Sequence, residues 1–184
     1  MGLFMSIRIY GNRSIKTLPG KTTRPTPAKV REALFNIWQG RVSGSRWLDL
    51  CAGSGAMGAE ALCRGASAVV GIDQSNAACR IIQTNWQTVA TPAQTFQVIR
   101  GDVAKQLKNL DLPPFDLVYF DPPYAADRYE TVLAILVQKS LLAPGATVAA
   151  EYTPESWQPE SLNGLELQRT KRYGLTHLAF FDAG

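Results

Sequence analysis

Four consecutive residues, Asp121-Pro122-Pro123-Tyr124, carry the most specific chemistry in the chain. Each proline fixes its own φ, and Pro123 also restricts Pro122, so the turn is stiff. A stiff turn can present the Asp121 carboxylate and the Pro122 carbonyl as two acceptors to one NH₂ group. That arrangement suits the exocyclic amine of a nucleobase, whose lone pair is spread into the ring and which is therefore a poor nucleophile. Two acceptors on its hydrogens orient the lone pair toward a sulfonium methyl and stabilise the positive charge that grows on nitrogen. In-line positioning supplies much of the rest. Tyr124 adds a face on which the base can stack. Asp121, Pro122, Pro123 and Tyr124 are thus the candidate catalytic set, and the scheme requires no metal. A base inside a folded helix must first be turned out of its stack, at a cost of a few kcal/mol.

The second segment is Leu48-Asp49-Leu50-Cys51-Ala52-Gly53-Ser54-Gly55-Ala56-Met57-Gly58. Gly53 and Gly55 permit a tight turn and close approach of a ligand to the main chain. The spacing Gly53-x-Gly55-x-x-Gly58, with Asp73 twenty residues past Gly53, also fits a dinucleotide fingerprint in which the acid accepts from ribose hydroxyls. These features alone do not separate a nicotinamide enzyme from a methyltransferase. Asp49 favours the latter, because a carboxylate there could pair with a cationic amino group, which S-adenosylmethionine has and NAD lacks. Asp102, after Gly101, could accept from an adenine amino group. Each acid taken singly could instead cap a helix. Together, Asp49, Gly53, Gly55, Asp73 and Asp102 form the candidate site for S-adenosylmethionine as cofactor.

Positioning these residues takes alternating elements. Residues 6–18 read as two short strands around Gly11-Asn12, a hairpin turn. Thr26 is suited to cap a helix with Pro27 at its first position; Val30, Leu34, Ile37 and Trp38 share its apolar face, and Gly40 stops it. Strands follow at 47–50, 68–73, 96–99, 115–120 and 146–152. They alternate with helices at 59–64, from the Ser75 cap through Trp86, at 103–110 and at 129–141. Such alternation means a parallel sheet covered on both faces. Residues 165–172 and 176–181, around Tyr173-Gly174-Leu175, form a closing antiparallel hairpin. The fold class expected is α/β: about seven strands in the manner of class I S-adenosylmethionine-dependent methyltransferases, a Rossmann-like fold, plus a small basic N-terminal extension. The division is residues 1–40 for the RNA-binding hairpin and helix and 41–184 for the methyltransferase domain.

Charge supports the extension's role. The net charge is +4, but residues 1–46 hold nine basic residues and one acid, a balance of +8, whereas the remainder carries −4. A basic segment on a mildly acidic body suits a polyanion. Arg8, Arg13, Lys16, Arg24, Lys29 and Arg31 are the candidate RNA-binding residues, contributing phosphate contacts that orient rather than read sequence. Three cysteines without paired spacings argue against a disulfide framework or zinc site, and a reducing, cytoplasmic setting is expected. With a single histidine, a histidine-based metal cluster is excluded.

Across nearly its whole length the chain resembles the bacterial 16S ribosomal RNA guanine-N2 methyltransferase family, the small-subunit methyltransferase D type. The resemblance rests on Arg8-Ile9-x-Gly11, Arg24-Pro25-Thr26, Val30-Arg31-Glu32-x-Leu34-Phe35-Asn36, Leu48–Gly58, Glu60-Ala61-Leu62, Arg64-Gly65-Ala66, Asp121–Tyr124 and Tyr173-Gly174. It implies S-adenosylmethionine-dependent methylation of one guanine N2 in 16S rRNA, in the small ribosomal subunit or its assembly intermediate. It also implies that Asp121–Tyr124 is the catalytic motif and that Gly53, Gly55, Asp73 and Asp102 hold the cofactor. Two departures are Asn12 where a second glycine is usual and Asp73 where glutamate is usual. The competing readings are another amino methyltransferase (adenine N6 of DNA or RNA, or protein), a NAD-dependent oxidoreductase and a non-enzymatic RNA-binding module. The oxidoreductase leaves Asp-Pro-Pro-Tyr and the basic segment unexplained, and the binding module leaves the glycine loop without a purpose.

Overall fold

A computed structural model describes residues 5–18, 26–123 and 127–184. Strands β1 (Met5–Ile9) and β2 (Arg13–Thr17) form an antiparallel hairpin closed by a 3₁₀ turn at Tyr10–Asn12. Asn12 sits in the left-handed region at φ 58°, which its short polar side chain tolerates. Helix α1 (Ala28–Ile37) follows. Then come β3 (Arg46–Leu50), α2 (Ala56–Cys63), β4 (Ala68–Asp73), α3 (Asn76–Val89), β5 (Thr95–Arg100), α4 (Val103–Lys108), β6 (Phe115–Phe120), α5 (Asp127–Gln138), β7 (Leu142–Tyr152), β8 (Leu165–Tyr173) and β9 (Thr176–Ala183).

The main sheet has the order β5-β4-β3-β6-β7-β9-β8. The first five strands are parallel, and β9 pairs antiparallel with both β7 and β8. The order reverses between β3 and β6, so a crevice opens there beyond the strands' carboxyl ends, the place where open α/β sheets bind ligands. Apolar clusters cover both faces. Trp47, Phe35, Trp38 and Phe180 lie on one, and Phe120, Tyr129, Trp157 and Phe181 on the other. Ile9, Ile15, Val30 and Leu34 belong to the first cluster, so the hairpin and α1 are built onto the domain through a common core.

The structure revises the expected start of α1. Its N-cap is Pro27, without a side-chain cap bond. The Thr26 hydroxyl is instead buried 3.2 Å from the Tyr119 hydroxyl, since a buried phenol is a better partner than a helix end open to water. The buried face of α1 also differs. Phe35 stacks on Trp47 at 5.3 Å while Ile37 is only partly buried.

Candidate active site

The candidate catalytic turn begins where β6 ends. The Asp121 N–H donates to the Leu50 carbonyl of β3 at 3.3 Å, which fastens the turn beside the glycine loop. Pro122 is buried, Pro123 is exposed and Asp121 is half-buried. Tyr124 lies outside the described residues. Burial, with the carboxylates of Glu151 and Asp49 nearby, pushes the Asp121 carboxyl well above the usual range, because a charge is costly away from water and costlier beside like charges. Such a group accepts a proton readily.

Glu151 escaped the sequence reading. It stands on β7 one residue past Ala150, which pairs with Phe120, the residue before Asp121. Its carboxylate accepts from the Tyr119 hydroxyl, and its main-chain carbonyl accepts from the Tyr129 hydroxyl at 2.8 Å. Burial raises its carboxyl too. The signal that could have found it is the one used for the other acids: a carboxylate near a strand's carboxyl end, next to the switch point.

The glycine loop is braced by two of the acids. The Asp49 carboxylate is almost wholly buried and accepts from the Gly58 N–H at 3.0 Å. Burial pushes it up to about 8. The structure therefore makes Asp49 a strut of the loop rather than a carboxylate projecting into the crevice. Asp73, at the end of β4, accepts from the Gly53 N–H at 2.9 Å and from the Ser75 N–H at 2.8 Å. A carboxylate has about four acceptor positions, so two remain for ribose hydroxyls. Gly53 has φ 58°, and a Cβ on it would meet nothing within 4 Å; the loop leaves room there for a ligand. Gly55 and Gly58 are different. A Cβ on either would strike Trp86, at 2.8 and 2.3 Å respectively, and the Trp86 indole N–H donates to the Gly55 carbonyl at 2.8 Å. These two glycines seat α3 against the loop.

Asp102 caps α4 through the Lys105 N–H at 3.0 Å and pairs with Arg128 at 3.5 Å. It therefore plays the capping role and still borders a cavity of about 210 Å³ lined by Cys51, Asp102, Val103, Ala104, Phe120, Arg128, Thr131 and Val132. Drug-sized ligands occupy roughly 300–1,000 Å³, so this cavity has room for only part of such a ligand. Cys51 turns the chain from β3 into the loop at φ 60°, a strained conformation for a residue other than glycine. Burial raises its thiol, which keeps it neutral. Among the described residues no cluster of His, Cys, Asp and Glu could hold a metal ion.

The basic segment divides. Arg8 and Lys29 are exposed, with Arg8 donating to the Asn12 side chain at 2.9 Å. Lys16 is exposed, and its backbone is held by the Asn85 amide at 2.9 and 2.8 Å. Arg13 reaches back to the Val89 carbonyl at 3.1 Å, so it ties the hairpin to α3. Arg24 lies outside the described residues. Arg31 is the correction. It is 4% exposed, pairs with Glu60 at 3.0 Å and donates at 2.8 Å to the carbonyls of Thr26 and Arg8. Its guanidinium is committed to holding α1, α2 and the hairpin together and is closed to RNA.

A model of the family described as "Conserved hypothetical protein 95" matches residues 7–182. Among curated relatives, "Putative rRNA methyltransferase YlbH" of Bacillus subtilis is 33% identical over 171 residues, 92% of each chain. "Ribosomal RNA small subunit methyltransferase D" of Haemophilus influenzae is 31% identical over 159 residues, 81% of each chain. Among solved structures, "Putative methyltransferase yhhF" of Escherichia coli superposes with a TM-score of 0.83 at 28% identity, covering 97% of this chain and 98% of that one.

Proposed function

The chain belongs to the conserved hypothetical protein 95 family, and from that premise we propose that it transfers a methyl group from S-adenosylmethionine to the exocyclic N2 of a guanine in 16S ribosomal RNA. Its sheet is that of the class I methyltransferases, and its relatives are named as rRNA methyltransferases, one of them acting on the small subunit. The observation that carries the reading is the Asp121-Pro122-Pro123 turn, fastened to Leu50 beside the glycine loop at the switch point of the sheet.

The residues present fit the cofactor. Gly53 leaves an open cradle, Asp73 keeps two acceptor positions for ribose hydroxyls, and Asp102 borders the cavity that the proposal assigns to the adenine. When bound, S-adenosylmethionine supplies an electrophilic methyl. Asp121 and the Pro122 carbonyl hold the two hydrogens of the guanine amine and aim its lone pair. As the N–CH₃ bond forms, nitrogen becomes positive and must lose one hydrogen as a proton. The Asp121 carboxylate, made proton-avid by burial and by Glu151, is placed to take it. The exposed Arg8 and Lys29 supply phosphate contacts that orient the RNA. The substrate is the small ribosomal subunit or an assembly intermediate.

Purified protein with labelled cofactor should methylate small subunits that lack the modification. Nuclease digestion and mass spectrometry should place the label on a guanine N2. Label on an adenine N6 or on a ribosomal protein would move the chain to another class of amino methyltransferase, and transfer to neither assembled nor naked RNA would overturn the proposal.

A further inference from the structure

The closing hairpin holds a feature that the cofactor and catalytic sites do not use. Across the sheet, Phe120 pairs with Ala150, Ala150 with Ala179, and Ala179 with Thr170. One residue further on, Asp121 therefore shares a row with Glu151, Leu178 and Lys171. The tip of the β8–β9 hairpin thus stands on the same rim of the sheet as the catalytic turn. Lys171 is three strand spacings from Asp121, about 14 Å at ~4.8 Å per strand. The ribbon continues past that row to its turn at Gly174-Leu175, about 10 Å further at ~3.4 Å per residue.

The outer half of β8 is not built for packing. Leu165 is buried and Leu167 partly buried, but all of Gln168, Arg169, Thr170, Lys171 and Arg172 are exposed. Residues 168–177 hold three fixed cations and no acid. None of the three forms an ion pair among the described residues. Arg169 reaches across the ribbon to lie over the Phe180 ring of its partner strand at 5.4 Å, and Arg172 donates toward the tip, to the Gly174 carbonyl, at 3.2 Å. At the tip, Gly174 alone of the two central residues has a positive φ, 66°, the signature of a II′ hairpin turn. That turn lifts Leu175 to 86% exposure, the highest of the large apolar side chains exposed among the described residues.

Edge strands often carry charge to prevent pairing with other chains. Edge protection accepts either sign anywhere along the strand and is worsened by an exposed leucine. Here the acid of β8, Glu166, lies in the inner half, the cations cluster at the catalytic rim, and the apolar residue crowns them. A single-sign patch with an apolar tip beside a site that works on an extruded base has the form of a nucleic-acid wedge.

We infer that the β8–β9 ribbon is a second RNA-contact element, in which Lys171 and Arg172 take phosphates flanking the target guanine and Leu175 enters the stack that the guanine has left. The inference rests on the RNA methyltransferase reading above and extends it to a surface on the far side of the active site from the N-terminal hairpin. It also gives a purpose to Tyr173-Gly174, a motif the cofactor site does not need.

The test uses the full-length protein and unmodified small subunits as the probe. The paired substitutions Lys171→Ala and Arg172→Ala should raise Kd for subunits at least tenfold. They should also flatten the slope of log affinity against log salt by about 1.4–1.8, since each phosphate contact contributes roughly 0.7–0.9. Affinity for S-adenosylhomocysteine, measured by calorimetry, should be unchanged. Leu175→Ala should leave the salt slope intact and lower kcat about tenfold, because base extrusion, not phosphate binding, loses support. Lys108 and Lys139 are exposed near the amino ends of β6 and β7, at the opposite rim, and their alanine pair should leave Kd as in the wild type. If the wild type binds and methylates while the Lys171/Arg172 pair keeps its affinity and slope, the ribbon inference is overturned and the activity stands. An equal loss in the Lys108/Lys139 pair also overturns it. If the wild type neither binds nor methylates subunits, both fall.

Discussion

At the residue scale, the proposed mechanism asks a carboxyl placed where protonation is favoured to act as an acceptor. Asp121 is half-buried, with the carboxylates of Glu151 and Asp49 near it. Its ionised form, which in the proposed mechanism holds the amine and takes its proton, is populated only above an elevated midpoint. We expect kcat to rise with pH through that midpoint. Glu151→Gln removes a neighbouring negative charge while keeping an acceptor for the Tyr119 hydroxyl, so it should move the midpoint of the pH–kcat profile to lower pH. Asp121→Asn should lower kcat by roughly 10²–10³, the loss typical of a transition-state hydrogen-bond partner, without changing S-adenosylhomocysteine binding. A Glu151→Gln profile superimposable on the wild type would show that the two carboxylates do not communicate. The Asp-Pro-Pro turn was readable because it is contiguous. Glu151 also offered a carboxylate near a strand end, but only the pairing of strands thirty positions apart places it beside Asp121.

At the element scale, the hairpin and α1 depend on a buried cation. Arg31 reaches Glu60 on α2, which also receives Arg64 at 3.3 Å, and it ties down Thr26 and Arg8 through their carbonyls. Removing one partner of a buried pair leaves an uncompensated charge, at about 3–5 kcal/mol. Arg31→Ala should therefore lower the unfolding free energy by about 3 kcal/mol or more in a urea titration. Lys29→Ala, on the exposed side of the same helix, should stay within about 0.5 kcal/mol. Equal effects from the two would contradict the placement of Arg31. Its burial left a trace in the sequence, since it precedes the buried Leu34 and Phe35 by three and four residues and so shares their face. Counting charge alone hid that spacing. The strands and helices of the sheet were legible because period and turn residues agree along the chain. The start of α1 was not, because the Thr26 hydroxyl answers to Tyr119, ninety-three residues away.

At the scale of the whole molecule, parallel strands with a closing antiparallel pair could be read from alternation, but the order β5-β4-β3-β6-β7-β9-β8 could not. Nothing local says which strands are neighbours. That order puts the glycine loop, the catalytic turn, Glu151 and the β8–β9 tip on one rim, and the ligand crevice follows from it. The five parallel strands alone have the order that dinucleotide-binding sheets share; the departure toward the methyltransferase fold is β9, which pairs antiparallel beside β7. A ligand that binds only the folded state raises its stability by about 2.7 kcal/mol at one hundred times Kd. Thermal unfolding should therefore shift upward by several degrees with saturating S-adenosylhomocysteine, since 1 kcal/mol moves a domain of this size by roughly 2–4 °C. NAD at the same concentration should leave the transition where it was. A shift with NAD and none with S-adenosylhomocysteine would mean that the crevice between β3 and β6 is a dinucleotide site and that the Asp121 turn serves some other chemistry.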